Sequence, residues 1–239
     1  MKTQFQQTVK EEMKEIQNKS FHLTVPLLSD EDGVVRVGGT RLRLLCLIAM
    51  FHSIPEIAEV VKAVNRRPCL IGIDGYSGAG KSTLARRLQE RMRDATIVRK
   101  DDFYRVLDEP VRATLDAEQG YYLYFDWERL EQQVLQPLAK KQSACYQRYD
   151  WVTAELAETI TIRPEGFVIV EGIYSTRPEL RDYYDLRIWV QTSEAERMQR
   201  QISRNENTSK WIQRWAAAET FYVERFRPGL SANIIVAGE

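Results

Sequence analysis

Gly75-Tyr76-Ser77-Gly78-Ala79-Gly80-Lys81-Ser82 fits the spacing GxxxxGK[ST], and each residue type in it has a use in holding a polyphosphate. Glycines let the chain wrap with its N–H groups pointing inward, and a helix starting at the far end adds partial positive charge. Lys81 can reach the β- and γ-phosphates of such a ligand, while the Ser82 hydroxyl can ligate Mg²⁺. The expected ATP-binding set is therefore Gly75, Ser77, Gly78, Ala79, Gly80, Lys81, Ser82 and Thr83, with ATP and Mg²⁺ as cofactors. A Gly-rich turn with an exposed lysine is the bland alternative. It loses because a buried strand precedes the loop and an amphipathic helix follows it.

Binding phosphate is not yet transferring it, and the transfer chemistry needs acids nearby. Arg99-Lys100-Asp101-Asp102-Phe103-Tyr104 follows a second strand, where a carboxylate can take the proton of an attacking hydroxyl. The same two acids can equally cap the next turn or pair with Arg99 and Lys100, and spacing alone leaves both readings open. A third apolar strand, FVIVEG, ends in Glu171, an acid that read alone is commonly just solvated but beside the phosphate loop is favoured as one delivered toward Mg²⁺ directly or through water. Arg197, Arg200 and Arg204 recur on one face of SEAERMQRQISRN and can swing over the phosphates to neutralise developing charge. Otherwise that row is a solvated face paired with Glu194 and Glu196, with only one or two arginines engaged in chemistry.

These side chains need a scaffold. CLIGID, ATIVRK, GFVIVEG, DLRIWVQ and ANIIVAG are short apolar runs that read as strands, and SGAGKSTLARRLQERM, WERLEQQVLQPLAK, SEAERMQRQISR and KWIQRWAAAETFYVERF read as helices. Their alternation predicts an α/β three-layer domain with a mostly parallel sheet flanked by helices. ACYQRYDW and ETITIRP are candidates for a hairpin. Ser53 and Pro55 open a helix through IPEIAEVVKAV, and residues 1–20 read as a solvated helix before a turn-prone stretch at Ser29, Asp30, Asp32 and Gly33. Residues 1–65 are expected to form an N-terminal extension and residues 66–239 the catalytic domain.

The chain has 239 residues with 34 Lys plus Arg against 34 Asp plus Glu, a balance that argues against a nucleic-acid partner. Its longest apolar run, Leu44 to Phe51, falls well short of the ~18 residues a membrane span needs. Cys46, Cys69 and Cys145 form no CxxC pattern and read as buried thiols of a reducing compartment. The polar first twenty residues lack a signal-peptide pattern, so a cytoplasmic location is expected. Tyr121, Tyr122, Tyr124, Phe125 and Trp127 can stack on a planar base or form core, and core is favoured. Trp211, Trp215, Phe221, Tyr222 and Phe226 are expected to dock their helix on the sheet, and His22 and His52 carry no assigned chemistry.

Taken together, these motifs resemble the uridine kinase family of P-loop kinases, relatives of phosphoribulokinase, over roughly residues 68–238. The resemblance implies a P-loop NTPase fold and a Mg²⁺-ATP-dependent kinase acting on a hydroxyl of a small metabolite, a nucleoside such as uridine or cytidine first among them. KDDFYRVL is similar to the family's DSFY segment and gives Asp101 the role of base. Phe125-Asp126 is similar to a segment whose Asp contacts the acceptor's hydroxyls. Tyr149-Asp150-Trp151 is similar to the hairpin that covers the nucleobase, VIVEGIYS assigns Mg²⁺ to Glu171, and RMQRQISRN resembles the lid helix. The implied catalytic set is Asp101, Lys81, Arg200 and Arg204, with Tyr104, Asp126, Tyr149 and Arg177 binding the acceptor. Departures stand at Trp127-Glu128-Arg129-Leu130, where the family has a His-Pro stretch, and at Asn205, where it has Asp. Two other readings stay open: a kinase for a sugar phosphate or pantothenate-like compound, and a nucleotide-binding switch without phosphotransfer. Homo-oligomerisation is also open.

Overall fold

A computed structural model of the chain describes residues 27–29, 35–37, 54–204 and 209–238. The expected helix over residues 1–20, the RLRLLCLIAMF segment, Cys46, His22 and His52 lie outside the described residues. Contacts divide the chain after Arg43. In the first unit β1 (Leu27–Ser29) and β2 (Val35–Val37) pair antiparallel, flanking the turn-prone stretch.

In the second unit α1 (Ile54–Ala63) carries Pro55 in its first turn, where a missing N–H costs nothing, and buries Ile57, Ala58 and Val61. Then come β3 (Cys69–Asp74), α2 (Lys81–Arg91), β4 (Ala95–Arg99) and a 3₁₀ turn (Lys100–Phe103). Two short helices, α3 (Glu109–Ala113) and α4 (Ala117–Leu123), follow. Asp116 caps α4 in a reciprocal box with Gln119, a start signal hidden in an otherwise aromatic stretch. The helix expected over WERLEQQVLQPLAK is split into α5 (Trp127–Leu130) and α6 (Gln136–Ala139) by a π turn at Glu131–Leu135. Pro137 explains the widening: it has no N–H to give and its ring crowds the preceding turn. Leu130, Val134, Leu135 and Leu138 are buried, as their spacing requires.

The expected hairpin forms from β5 (Ala144–Asp150) and β6 (Glu155–Ile162), with a register shift between Gln147 and Tyr149. Its alternation buries Ala144, Tyr146 and Tyr149 and turns Cys145 outward, so the buried-thiol expectation holds for Cys69 and is corrected for Cys145. The chain continues through β7 (Phe167–Glu171), β8 (Leu186–Gln191), α7 (Glu194–Arg204), α8 (Ser209–Phe226), α9 (Pro228–Ser231) and β9 (Ile234–Ala237).

The main sheet runs β4-β7-β3-β8-β9, and every neighbouring pair is parallel. β3 and β7 are buried at every position, as continuous apolar runs covered on both faces must be. Parallel pairing sends all five carboxyl ends to one edge, the edge where open α/β sheets hold their ligands. One core cluster is aliphatic, built around Leu70, Leu130, Leu138 and Val168. A second is aromatic: Tyr121, Tyr124, Phe125, Tyr174, Trp215 and Tyr222. The expectation that α8 docks on the sheet holds at Tyr222, which reaches Asp74 at the end of β3, and is corrected for the rest of its aromatic face, which packs on α4. Trp215 meets Tyr124 at 4.5 Å between ring centroids and Tyr222 stacks on Tyr121 at 5.4 Å. Among the described residues no helix is long and apolar enough to cross a membrane.

Candidate active site

β3 ends in Asp74, and the loop Gly75–Gly80 carries the chain into α2. Asp74 has no exposed surface, and its carboxylate accepts from Gly75 N–H (2.7 Å), Tyr174 N–H (3.1 Å), Thr176 N–H (2.9 Å), Thr176 Oγ1 (2.8 Å) and Tyr222 OH (2.8 Å). Burial pushes this carboxyl up, and the donors, Thr176 first, pull it back. It ties the start of the loop to the segment after β7 and to α8. Gly75 has φ +152°, and an added Cβ would stand 2.7 Å from the Val190 carbonyl oxygen, so the loop turns there only with glycine.

The loop opens on a cleft of about 510 Å³ whose walls include Ser77, Gly78, Lys81, Ser82, Asp101 and Glu171. Gly80 and Thr83 line it as well, whereas Gly75 and Ala79 shape the loop from behind. Lys81 extends along the loop and donates from Nζ to the Tyr76 carbonyl at 2.9 Å. Ser82 Oγ donates to Glu171 Oε2 at 3.1 Å. β7 pairs with both β3 and β4, which is why its terminal Glu171 stands between the loop and Asp101. Burial raises the Glu171 carboxyl, with the Lys81 ammonium acting against it. Asp101 is open to the cleft, yet deep enough among its wall groups that desolvation raises its carboxyl while Lys81 again lowers it.

The neighbouring acid has another job. Asp102 accepts from Tyr146 OH at 2.9 Å and pairs with Arg148 Nε at 3.7 Å, so it is spent on the β5–β6 hairpin. Lys100 is fully buried with its Nζ 5.1 Å above the centre of the Phe125 ring, and burial holds its ammonium well below the usual lysine range.

The donor set fits a magnesium ion. A hydroxyl and a carboxylate stand together at Ser82 and Glu171, with Asp101 in the same cleft, and all are oxygen donors. Among the described residues no group of three or more His, Cys, Asp or Glu could hold a metal. Mg²⁺ does not require one, since it is commonly bound by one or two carboxylates together with substrate phosphates and water.

α7 rests on the loop. Arg200 Nη1 donates to the Gly78 carbonyl at 3.2 Å, Gln201 Nε2 donates to the Ser77 carbonyl at 3.0 Å, and the Arg197 guanidinium lies 3.9 Å from the centre of the Tyr76 ring. Gly78 is needed for this seating, because a Cβ there would stand 2.8 Å from the Arg197 carbonyl oxygen. Arg200 is thus at the Ser77–Gly78 corner of the loop. Arg204 closes α7, and Asn205 lies outside the described residues.

The far wall is aromatic, formed by Phe125, Trp151, Trp211 and Trp215. Tyr104 backs it, 4.6 Å from Trp151 and 5.7 Å from Trp215 between centroids, and Tyr149 stands 5.1 Å from Tyr104. Asp126 caps α5 by accepting from Arg129 N–H at 3.1 Å and lies 3.7 Å from Arg105 Nη2. Arg177 is not brought to the cleft. The Tyr174 and Thr176 N–H bonds to Asp74 fold the segment after β7 inward, and Arg177 is buried on Glu179 (2.8 and 3.1 Å) and the Tyr121 ring (4.4 Å). Sequence reasoning missed Asp74, Gln201 and Glu219. Only Asp74 had a local signal, since an acid ending a buried strand beside the loop is the pattern that found Glu171.

The sequence profile of the Phosphoribulokinase / Uridine kinase family matches residues 70–209. A uridine kinase of Halobacterium salinarum is 32% identical over 139 residues, 56% of this chain and 61% of that protein. A uridine kinase of Alkaliphilus metalliredigens is 33% identical over 148 residues, 58% of this chain and 69% of its own length. The chain thus spans about three fifths to two thirds of these relatives. Among solved structures, a possible uridine kinase from Bacillus stearothermophilus superposes with a TM-score of 0.61 at 23% identity, covering 77% of this chain and 96% of the other.

Proposed function

Because the chain belongs to the Phosphoribulokinase / Uridine kinase family, we propose that it is a Mg²⁺-ATP-dependent kinase that phosphorylates a hydroxyl of a nucleoside. The observation that carries this reading is the convergence of Lys81, Ser82, Asp101 and Glu171 on one cleft. Loop N–H groups and Lys81 hold the triphosphate. Ser82 and Glu171 would hold Mg²⁺, which when bound neutralises charge on the β- and γ-phosphates. The acceptor oxygen attacks the γ-phosphorus, the bond to the bridging oxygen breaks to leave ADP, and the acceptor's proton passes to the Asp101 carboxylate. Asp102 is a poor candidate for that proton, being held by Tyr146 and Arg148. Arg200 would release the Gly78 carbonyl and turn to the γ-phosphoryl oxygens.

The aromatic wall supports a planar acceptor, stacked against Trp151 or Phe125. Arg105 and Arg129 beside Asp126 are what a phosphate-bearing acceptor would need, but Asp126 and Glu128 already neutralise them, so the nucleoside is preferred. We assign catalysis to residues 66–239, with residues 1–65 as an extension, and a cytoplasmic location where thiols such as Cys69 stay reduced. The test is ADP release from Mg²⁺-ATP across nucleosides, sugar phosphates and pantothenate-like alcohols. A nucleoside that accelerates release well above the acceptor-free rate supports the reading. ATP binding without acceptor-stimulated release across the panel refutes it and leaves a nucleotide switch.

A further inference from the structure

Glu219 lies in the middle of α8, far in sequence from the phosphate loop, and is 2% exposed. Its carboxylate is turned away from solvent and, among the described residues, has no cation at bonding distance. It accepts from the Ser77 backbone N–H at 3.0 Å through Oε2, and from the Ser77 hydroxyl through Oε1. Burial raises this carboxyl, with the Ser77 bonds and the Lys81 charge pulling it down. A buried acid with two bonds to one residue of a phosphate loop is an unusual expense. An anion next to a polyphosphate site repels the ligand, and one loop N–H that could have faced the ligand is taken.

The location explains what is gained. Lys81, the side chain that reaches β- and γ-phosphates, ends at the Tyr76 carbonyl, so the Tyr76–Ser77 corner is the terminal-phosphate end of the loop. Ser77 is gripped there on every polar group it has. Glu219 of α8 takes its N–H and hydroxyl, and Gln201 of α7 donates to its carbonyl. Gly78 next to it is held by Arg200 of α7 and has φ +77°, a corner with little intrinsic preference for one shape. A glycine-rich corner that must meet the last phosphate of a triphosphate needs an external brace to stay pre-formed.

We propose that Glu219 is a positioning residue that braces the Ser77–Gly78 corner from α8 and thereby sets the preference of the site for a nucleoside triphosphate over a diphosphate. The proposal rests on the kinase reading above. It concerns affinity for nucleotide, and so can be tested without knowing the acceptor. A diphosphate, which stops short of that corner, has little to gain from the brace. A triphosphate has its terminal group against it.

The experiment is titration calorimetry of the full chain with Mg²⁺-ATP and with Mg²⁺-ADP, for the wild type, Glu219→Ala and Glu219→Gln. Loss of charge-assisted bonds of this kind corresponds to about a tenfold weakening or more. Glu219→Ala is expected to raise the Kd for ATP about tenfold while the Kd for ADP shifts less than about threefold. Glu219→Gln keeps an acceptor for the Ser77 N–H and a donor for its hydroxyl oxygen, and is expected to restore ATP affinity to within about threefold of the wild type. Should Glu219→Ala fail to fold, Ser77→Ala, which deletes only the hydroxyl bond, must still weaken ATP more than ADP. Equal loss for both nucleotides means Glu219 is merely structural, and tighter ATP binding by Glu219→Gln means its charge is only a penalty; either overturns the proposal. If the wild type binds neither nucleotide, the kinase reading itself fails, a separate result.

Discussion

The two ends of the cleft are built by opposite means. At the phosphate end the groups come from the chain's own course: backbone N–H groups of one loop, the helix that follows, and acids that end two neighbouring parallel strands. Once β3, β4 and β7 are paired, Lys81, Asp101 and Glu171 have nowhere else to be. At the acceptor end nothing follows from strand order. Phe125 follows α4, Trp151 sits in the turn of the β5–β6 hairpin, and Trp211 and Trp215 belong to α8, so that wall exists only after separate elements pack. On the proposed reading, phosphate is held by charge and backbone dipoles that the strand order brings together. The acceptor would be held by side-chain surface, which can be altered residue by residue without disturbing the phosphate end.

If that division is real, substitutions at the two ends must fail differently. The largest loss is expected at the phosphate end. Lys81→Ala removes the cation that lies along the loop and should abolish ADP formation, a fall beyond about 10⁴ in kcat, in a protein that still melts cooperatively. Asp101→Asn comes next. It keeps shape but cannot take a proton, and kcat should fall by about 10²–10⁴ with the Kd for ATP nearly unchanged. Asp101 must be ionised to act and its carboxyl is raised by enclosure in the cleft, so wild-type kcat/KM should decline as pH falls through a value above the ordinary aspartate range. The Asn variant should lack that acid limb. Near-normal turnover in it would move the base elsewhere and break the link between strand tips and chemistry.

The same division explains what could be read before any coordinates. CLIGID, GFVIVEG and DLRIWVQ are strands because buried parallel strands are unbroken apolar runs, and Glu171 is legible because it ends such a run in a chain that also carries the phosphate loop. Asp101 was separable from Asp102 only in space, since the Tyr146 hydroxyl that occupies Asp102 comes from a strand some forty residues on. Glu219 was invisible for a similar reason: nothing near it in sequence hints at Ser77. Arg177 was misplaced because the turn after β7 is set by Asp74, a long-range partner. The split at Glu131–Leu135 was readable from Pro137 and went unread.

Asp74 tests whether the phosphate end depends on the sheet as a whole. Truncation to Ala leaves the N–H groups of Gly75, Tyr174 and Thr176 and the Tyr222 hydroxyl without their acceptor in a dry environment. Urea denaturation should show a loss of about 3 kcal/mol, with ATP affinity falling alongside because the loop loses its anchor. A stable Ala variant with normal nucleotide binding would mean that the loop holds its shape without the sheet edge.

The smallest effect belongs to the acceptor end, and it sharpens the comparison most. Trp151 is 54% exposed, yet its ring lines the cleft and lies 4.6 Å from Tyr104. An exposed tryptophan contributes little to the core, so its removal should leave stability within about 0.5 kcal/mol of the wild type. Stacking on one aromatic face contributes about 0.5–1.5 kcal/mol, which predicts that Trp151→Ala raises the KM for the acceptor by about three- to tenfold. The KM for ATP should stay put, because this ring packs on Tyr104 and Tyr149. Steady-state rates with each substrate varied in turn decide the matter. If the KM for ATP rises in step with that for the acceptor, Trp151 serves the nucleotide, and the two ends are not the separate devices their construction implies.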